Sequence, residues 1–361
     1  MHNRILGFDG LRAISVFLVI MSHAVLWDRI GLTDTRILAV LSADNGVKIF
    51  FMLSGFLITL LLIKESSTTG RVNILDFFVR RFLRIFPLYY LSIGLLMIVD
   101  RVGAANIQQC TFGHALTYTI NFAPKECRFQ STSHFWSLAV EEHFYLAWPL
   151  IFALNRRLAF MTATAVTIGG ILLEPYMIEA FPNAPVTRWT FPAIVPITMG
   201  CICAYIAANK TASYYLRNVA AKTILAAVAI LGILSPAFSS KAEPLWLAAI
   251  ACLILLVFFH QGSLLVRALN IKPLVVIGTM SYGLYVWQGI FTGNGPYRLS
   301  SQSFPPSIET GLVLTLIAAP LSYYFFEKPL LRLKKRFSWH SKTVDKHETT
   351  SPASTPQIST R

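Results

Sequence analysis

Apolar runs of about twenty residues, the length a helix needs to cross the hydrocarbon core of a bilayer, recur along most of this chain. They fall at about 11–27, 46–63, 85–99, 134–153, 158–174, 190–208, 219–237, 244–260, 273–292 and 310–326. Lipid offers no partner to a bare peptide group, so each run has to satisfy its own backbone. The expected fold class is therefore an all-α polytopic membrane protein with about ten transmembrane helices. Charge agrees, since 13% of the 361 residues are charged, against about 25% in a soluble domain. The first run contains polar residues and no small-residue cleavage site follows it, so it reads as a span rather than a signal peptide.

Lysine and arginine set the orientation, because cytosolic segments are enriched in them. A cytosolic N-terminus puts 22 of the 31 basic residues on the inner side and nine on the outer. Both termini are then cytosolic, in a bacterial inner (cytoplasmic) membrane. A basic inner face against anionic membrane lipid accounts for most of the net charge of +14 without nucleic acid. The membrane domain is expected over 1–336. The Ser-, Thr- and Pro-rich tail 337–361 is expected to be disordered and cytosolic. Cys110 and Cys127 share the long outer connection 100–133, where an oxidising compartment would let them pair, and the sequence leaves that pairing open. No His/Cys cluster has the spacing of a metal site.

Polar groups inside the spans carry the functional argument, because charge there is costly. Arg12 and His23 lie eleven positions apart in the first run. At 100° per residue they face within about 20° of each other, roughly 16 Å apart along the axis. Arg80, Arg81 and Arg84, in FFVRRFLRIFPLYY, approach the inner start of the third span, and Pro87 suits a first helical turn. Clustered guanidinium groups suit a phosphate ligand; positive-inside anchoring of an interfacial helix explains the same residues without one. The fourth span opens with the polar HFWSLAVEEHFY, carrying His134, Ser137, Glu141, Glu142 and Tyr145. With the first span ending near Trp27, His23 and Glu141 share a depth, and a carboxylate that orients an imidazole is ordinary acid–base chemistry. An acidic helix start for the glutamates and a packing role for His23 are the plainer alternatives. Phe50–Leu57 holds a small-residue notch at Ser54 and Gly55 that serves close packing or binding equally well. Tyr282, Tyr285 and Gln288 form a stripe at three-residue spacing, and Glu327-Lys328-Pro329 reads as a helix stop.

In this order and spacing, FDGLRAISVFLVIMSHA, FFMLSGFLI, RRFLRIFPLYY, HFWSLAVEEHFYLAWPL, SYGLYVWQ and FEKP resemble the acyltransferase-3 family of integral membrane acyltransferases, from about Phe8 to Pro329. The resemblance maps that family's arginine and histidine onto Arg12 and His23, its RxxR pair onto Arg81 and Arg84, and its acidic position after WSL onto Glu141. It implies acetyl-CoA, or another acyl-CoA, as donor substrate and a carbohydrate hydroxyl as acceptor. Two departures stand out. Gln288 occupies a place where the family often has histidine, so no titrating role carries over to it. The hydrolase-like extracytoplasmic domain of some members does not follow the last span here, so transfer is either direct or completed by a separate extracytoplasmic acyltransferase.

The resulting expectation is an O-acyltransferase, an O-acetyltransferase by that resemblance, acting on a surface or exported polysaccharide or oligosaccharide. His23 and Glu141 are its catalytic residues, as general base and orienting group. Arg12, Arg80, Arg81 and Arg84 bind the donor, and Ser137, Glu142, Tyr145, Tyr282 and Tyr285 line the pocket, with no metal. An acyltransferase acting on a soluble small molecule, an antibiotic or a signalling oligosaccharide, shares the same donor motifs. A transporter of a glycan precursor would need two corresponding halves, and the sequence has no internal repeat.

Overall fold

The computed structural model describes residues 4–239, 242–293 and 303–333, and every regular element among them is helical. Ten principal helices stand at the ten apolar runs: α1 Phe8–His23, α2 Ala43–Thr69, α3 Ile74–Arg101, α4 Phe135–Leu154, α5 Arg156–Ala180, α6 Val195–Ala208, α7 Val219–Ile233, α8 Glu243–Phe259, α9 Ser281–Thr292 and α10 Ile308–Leu321. Among the described residues six helical segments are long and apolar enough to cross a membrane, and Lys272–Thr279 bent by 65° onto α9 makes a seventh if the pair is one span. The chain is a multi-pass membrane protein. α1 and α8 miss that standard by length, with 16 and 17 residues, and α4 because Glu141, Glu142 and His143 lower its hydropathy. The expected tail, with Lys241 and Arg298 of the outer charges, lies outside the described residues.

Helix ends depart from hydropathy where capping decides them. The connection expected over 64–84 shrinks to residues 70–73, because α2 runs to Thr69 and turns at Gly70 with φ 76°. α3 then starts at Ile74, where the Asn73 side chain accepts from Asp76 N at 3.1 Å. Pro87 consequently sits inside α3 rather than in a first turn. The arginine segment and the third span are one helix that projects beyond its apolar part. α1 stops at His23, four residues before the end of its apolar run, and Val25 takes φ 53°. Ser22 Oγ and Trp27 Nε1 both donate to Leu41 O at 3.2 Å and hold that break. At the other end, Pro329 does not stop the chain: a π-helical turn, Ser322–Glu327, follows α10 and leads into Lys328–Leu333, with Pro329 harmless in its first turn. Glu327 is buried. A short helix, Gln109–Leu116, and a Cys110–Cys127 disulfide with Cα atoms 5.4 Å apart organise the connection after α3.

Close backbone approach sets the packing of the bundle. A Cβ on Gly55 of α2 would run into Ile197 O of α6, and a Cβ on Gly200 of α6 would run into Met52 O of α2. The two helices touch through reciprocal glycines, as membrane helices do where small residues admit a neighbour. Gly46 and Gly278 admit the α1 backbone in the same way, at Ser15 O and Asp9 O. Buried polar bonds tie the frame, Trp148 Nε1 to Thr59 Oγ1 at 2.9 Å and Thr167 to Thr198 at 2.7 Å. Gly200→Leu places a large side chain where backbone stands, and the expected cost is about 3 kcal/mol or more. A thermal-shift measurement in detergent should show a lower melting temperature, and an unchanged midpoint would remove this crossing from the stabilising set.

Candidate active site

α1, α2, α3, α4 and α9 enclose a cavity of about 1110 Å³. Its exposed mouth carries Arg4, Lys64, Ser67 and Thr68, and its buried end carries Ser137 and Tyr285. Arg12, Arg81 and Arg84 line the wall, so five cations face a cavity with two carboxylates, Asp9 and Glu141. Asp9 pairs with Arg4 and, at 3.4 Å, with Arg12. Arg81 lies over the rings of Tyr145 at 5.2 Å and Phe77 at 5.7 Å, which support the guanidinium while leaving its N–H groups to a ligand.

Helical rotation sorts the three expected arginines. Arg81 and Arg84 are three positions apart and share the cavity face, whereas Arg80 is turned 100° from Arg81. Arg80 Nη2 pairs instead with buried Glu65 Oε2 at 3.1 Å, while Glu65 Oε1 accepts from Asn73 N at 3.0 Å. Arg80, expected beside the donor, is therefore not among the cavity-lining residues and joins α2 to α3. Arg4 and Lys64 do line the cavity. In the sequence they are ordinary members of a basic inner face, and only the fold brings them to the mouth.

Glu141 lines the cavity, and its Oε1 accepts from Ser54 Oγ at 2.5 Å. Tyr145 OH donates to Ser54 Oγ at 3.3 Å. No hydrogen bond joins Glu141 to His23, contrary to the orienting role expected for it. His23 is the last residue of α1, and its ring meets Gln288 of α9 instead. Ser54 and Gly55 divide the two roles left open for their notch, Ser54 facing the cavity and Gly55 meeting α6. Glu142 is buried but is not a lining residue, one helical step away from Glu141 and on another face.

α9 joins three neighbours through one stripe. Tyr282 OH donates to Ile85 O of α3 at 2.7 Å. Tyr285 OH donates to His134 O at the start of α4 at 3.0 Å and meets Ser137 Oγ at 2.6 Å. Gln288 Oε1 lies 3.1 Å from Nδ1 of His23 on α1. Tyr282 and Tyr285 line the cavity, while Gln288 and His23 do not. Beside them the buried ring of His134 packs against Gly289, where any Cβ would strike it. Among the described residues no group of three or more His, Cys, Asp or Glu side chains is placed to hold a metal.

The chain is similar to proteins named for acetyl transfer. A putative peptidoglycan O-acetyltransferase of Bacillus subtilis is 27% identical over 91% of this chain and 55% of its own length. The O-acetyltransferase OatA of Staphylococcus aureus strain MRSA252 is 27% identical over 94% of the chain and 60% of its own length. The peptidoglycan O-acetyltransferase OatA of Listeria monocytogenes is 29% identical with the same two coverages, 94% and 60%. The chain thus spans less than two thirds of the length of these curated relatives. No solved structure matches it. A family model described as an acyltransferase domain matches residues 5–327, nearly the whole of the helical bundle, and the chain belongs to this family, acyltransferase-3.

Proposed function

We propose that this protein is an O-acetyltransferase that takes acetyl groups from cytosolic acetyl-CoA and passes them to hydroxyls of a surface or exported polysaccharide. One observation carries the reading: a single cavity gathers five cations at its mouth and wall and narrows to the neutral Ser137 and Tyr285 pair. Acetyl-CoA has the matching form, several phosphates at one end and a neutral arm ending in the thioester. Arg4, Arg12, Lys64, Arg81 and Arg84 hold the phosphates, with the bidentate geometry that guanidinium offers. Glu141 holds Ser54 and Tyr145 beside the arm, so it acts on the donor side and not on the base.

The same helices support a membrane orientation. Arg81 and Arg84 lie in the first half of the 28-residue helix α3, and the Cys110–Cys127 disulfide follows its other end. Disulfides persist in oxidising compartments, which supports a cytosolic side for the arginine mouth. Ten spans with both termini cytosolic, in the inner membrane, complete this arrangement. Acceptor class comes from the relatives, two of which are named for peptidoglycan.

His23 acts as general base. Its ring takes the proton of the acceptor hydroxyl as that oxygen bonds to the acetyl carbon. The carbon–sulfur bond breaks, and the proton passes on to the leaving thiolate to give coenzyme A. The Ser137 and Tyr285 pair closes the cavity on the side of His23, so it parts for the thioester to reach the ring.

Single-turnover assays with labelled acetyl-CoA and an oligosaccharide acceptor test the base. His23→Ala should slow transfer by about 100-fold or more, and wild-type transfer would sink the assignment. Donor binding is tested by Arg81→Ala and Arg84→Ala, each expected to raise the donor constant roughly tenfold, the loss of one charge-assisted contact. Arg80→Ala should leave that constant alone and lower thermal stability instead. For orientation, Cys110→Ser frees Cys127 for an impermeant maleimide, which should react from outside intact spheroplasts; labelling from the cytosolic face only would reverse the topology.

A further inference from the structure

Gln288 is fully buried, and its amide makes two bonds that together determine its orientation. Nε2 donates to Tyr285 O at 3.2 Å. A carbonyl oxygen only accepts, so the amide nitrogen must be on that side and Oε1 must face His23, 3.1 Å from Nδ1. Oε1 also only accepts. Nδ1 of His23 therefore carries a proton, and in the neutral ring, which has a single N–H, the lone pair belongs to Nε2. Nε2 makes no hydrogen bond with any described residue. The assignment follows from the network of partners, the same logic by which amides and histidine tautomers are oriented.

We infer that Gln288 is a positioning residue for acyl transfer: it holds His23 in the Nδ1–H tautomer and so presents Nε2 as the base. The inference rests on the general-base reading of His23 given above. Its partner in this role is a neutral amide from α9, not the carboxylate of Glu141.

The surroundings of Gln288 fix its register. Tyr285, one turn before it, is anchored to His134 O and Ser137. Gly289, next to it, is pressed against the His134 ring and admits no side chain. Thr292 Oγ1, one turn after it, donates to Gln288 O at 2.6 Å. α9 can neither slide nor roll without losing one of these, so the amide stays aimed at α1. The charged or titratable groups whose fields reach His23 are Arg188, from the connection between α5 and α6, and His134. No Asp or Glu is hydrogen-bonded to it. With no carboxylate to compensate an imidazolium, the ring is suited to hand its proton to the leaving thiolate as the carbon–sulfur bond breaks.

The test reads the tautomer directly. Solid-state nitrogen NMR of the ring of His23, assigned by comparison with His23→Ala, should show Nδ1 protonated and Nε2 bare in the wild-type protein at a pH where the ring is neutral. Finding the proton on Nε2 overturns the inference without recourse to any variant. Gln288→Met keeps the length and removes the acceptor. It should release the ring to a mixture of tautomers and lower kcat by about 30-fold, within the range seen when a group that orients a functional histidine is lost. The KM for acetyl-CoA should stay within about twofold, because Gln288 lies outside the cavity. Gln288→Glu restores an oxygen to accept from Nδ1–H and should recover the tautomer. Wild-type kcat in Gln288→Met overturns the inference. Full activity in His23→Ala would instead overturn the general-base reading, leaving the ring spectrum as a statement about structure alone.

Discussion

The backbone contact between α2 and α6 at Gly55 and Gly200 sets the position of one whole wall of the cavity. Ser54 precedes Gly55 by one residue and is turned 100° from it. Once Gly55 is pressed against α6, Ser54 faces α4, where it donates to Glu141. Further along the same helix, Thr59 accepts from Trp148 of α4 at 2.9 Å. The small-residue notch therefore serves packing and site together, through neighbouring residues on different faces. In lipid, where helix association draws little from the hydrophobic effect, such close contacts and interhelical hydrogen bonds carry the load.

α9 supplies the opposite wall and joins the rest. Three consecutive turns reach three different helices: Tyr282 to α3, Tyr285 to α4 and Gln288 to α1. The first two also line the cavity, and the third lies behind it. One helix thus stands between the cavity and the histidine, and its hydrogen bonds reach both regions. A change in this stripe would be felt on both sides at once.

Much of the architecture was legible in the sequence. Helices stand at each of the ten apolar runs, because hydropathy is a local property of twenty consecutive residues. Their ends were not legible in the same way. α2 and α3 extend past their apolar parts because Asn73 caps α3 and Glu65 pairs with Arg80, and α1 stops early because Ser22 and Trp27 bond to Leu41. Each of those causes is a polar contact that a hydropathy profile does not contain. The misplaced end of α1 had one large consequence. The depth shared by His23 and Glu141 rests on Trp27 as the end of that helix, and the partner His23 meets is an amide rather than a carboxylate.

By itself the sequence determined the helical class, the polar character of particular helix faces and the family pattern from Phe8 to Pro329. Period and composition suffice for these, since an α-helix places residues three and four apart on one face whatever surrounds it. Tertiary structure alone decided the partners. Arg80 and Arg81 are neighbours in the chain with the same chemistry, yet one meets Glu65 and the other faces the cavity. His23 meets a side chain 265 residues away. A rotation of 100° sends consecutive residues toward different helices, and which helix stands there is settled by where glycines let backbones touch.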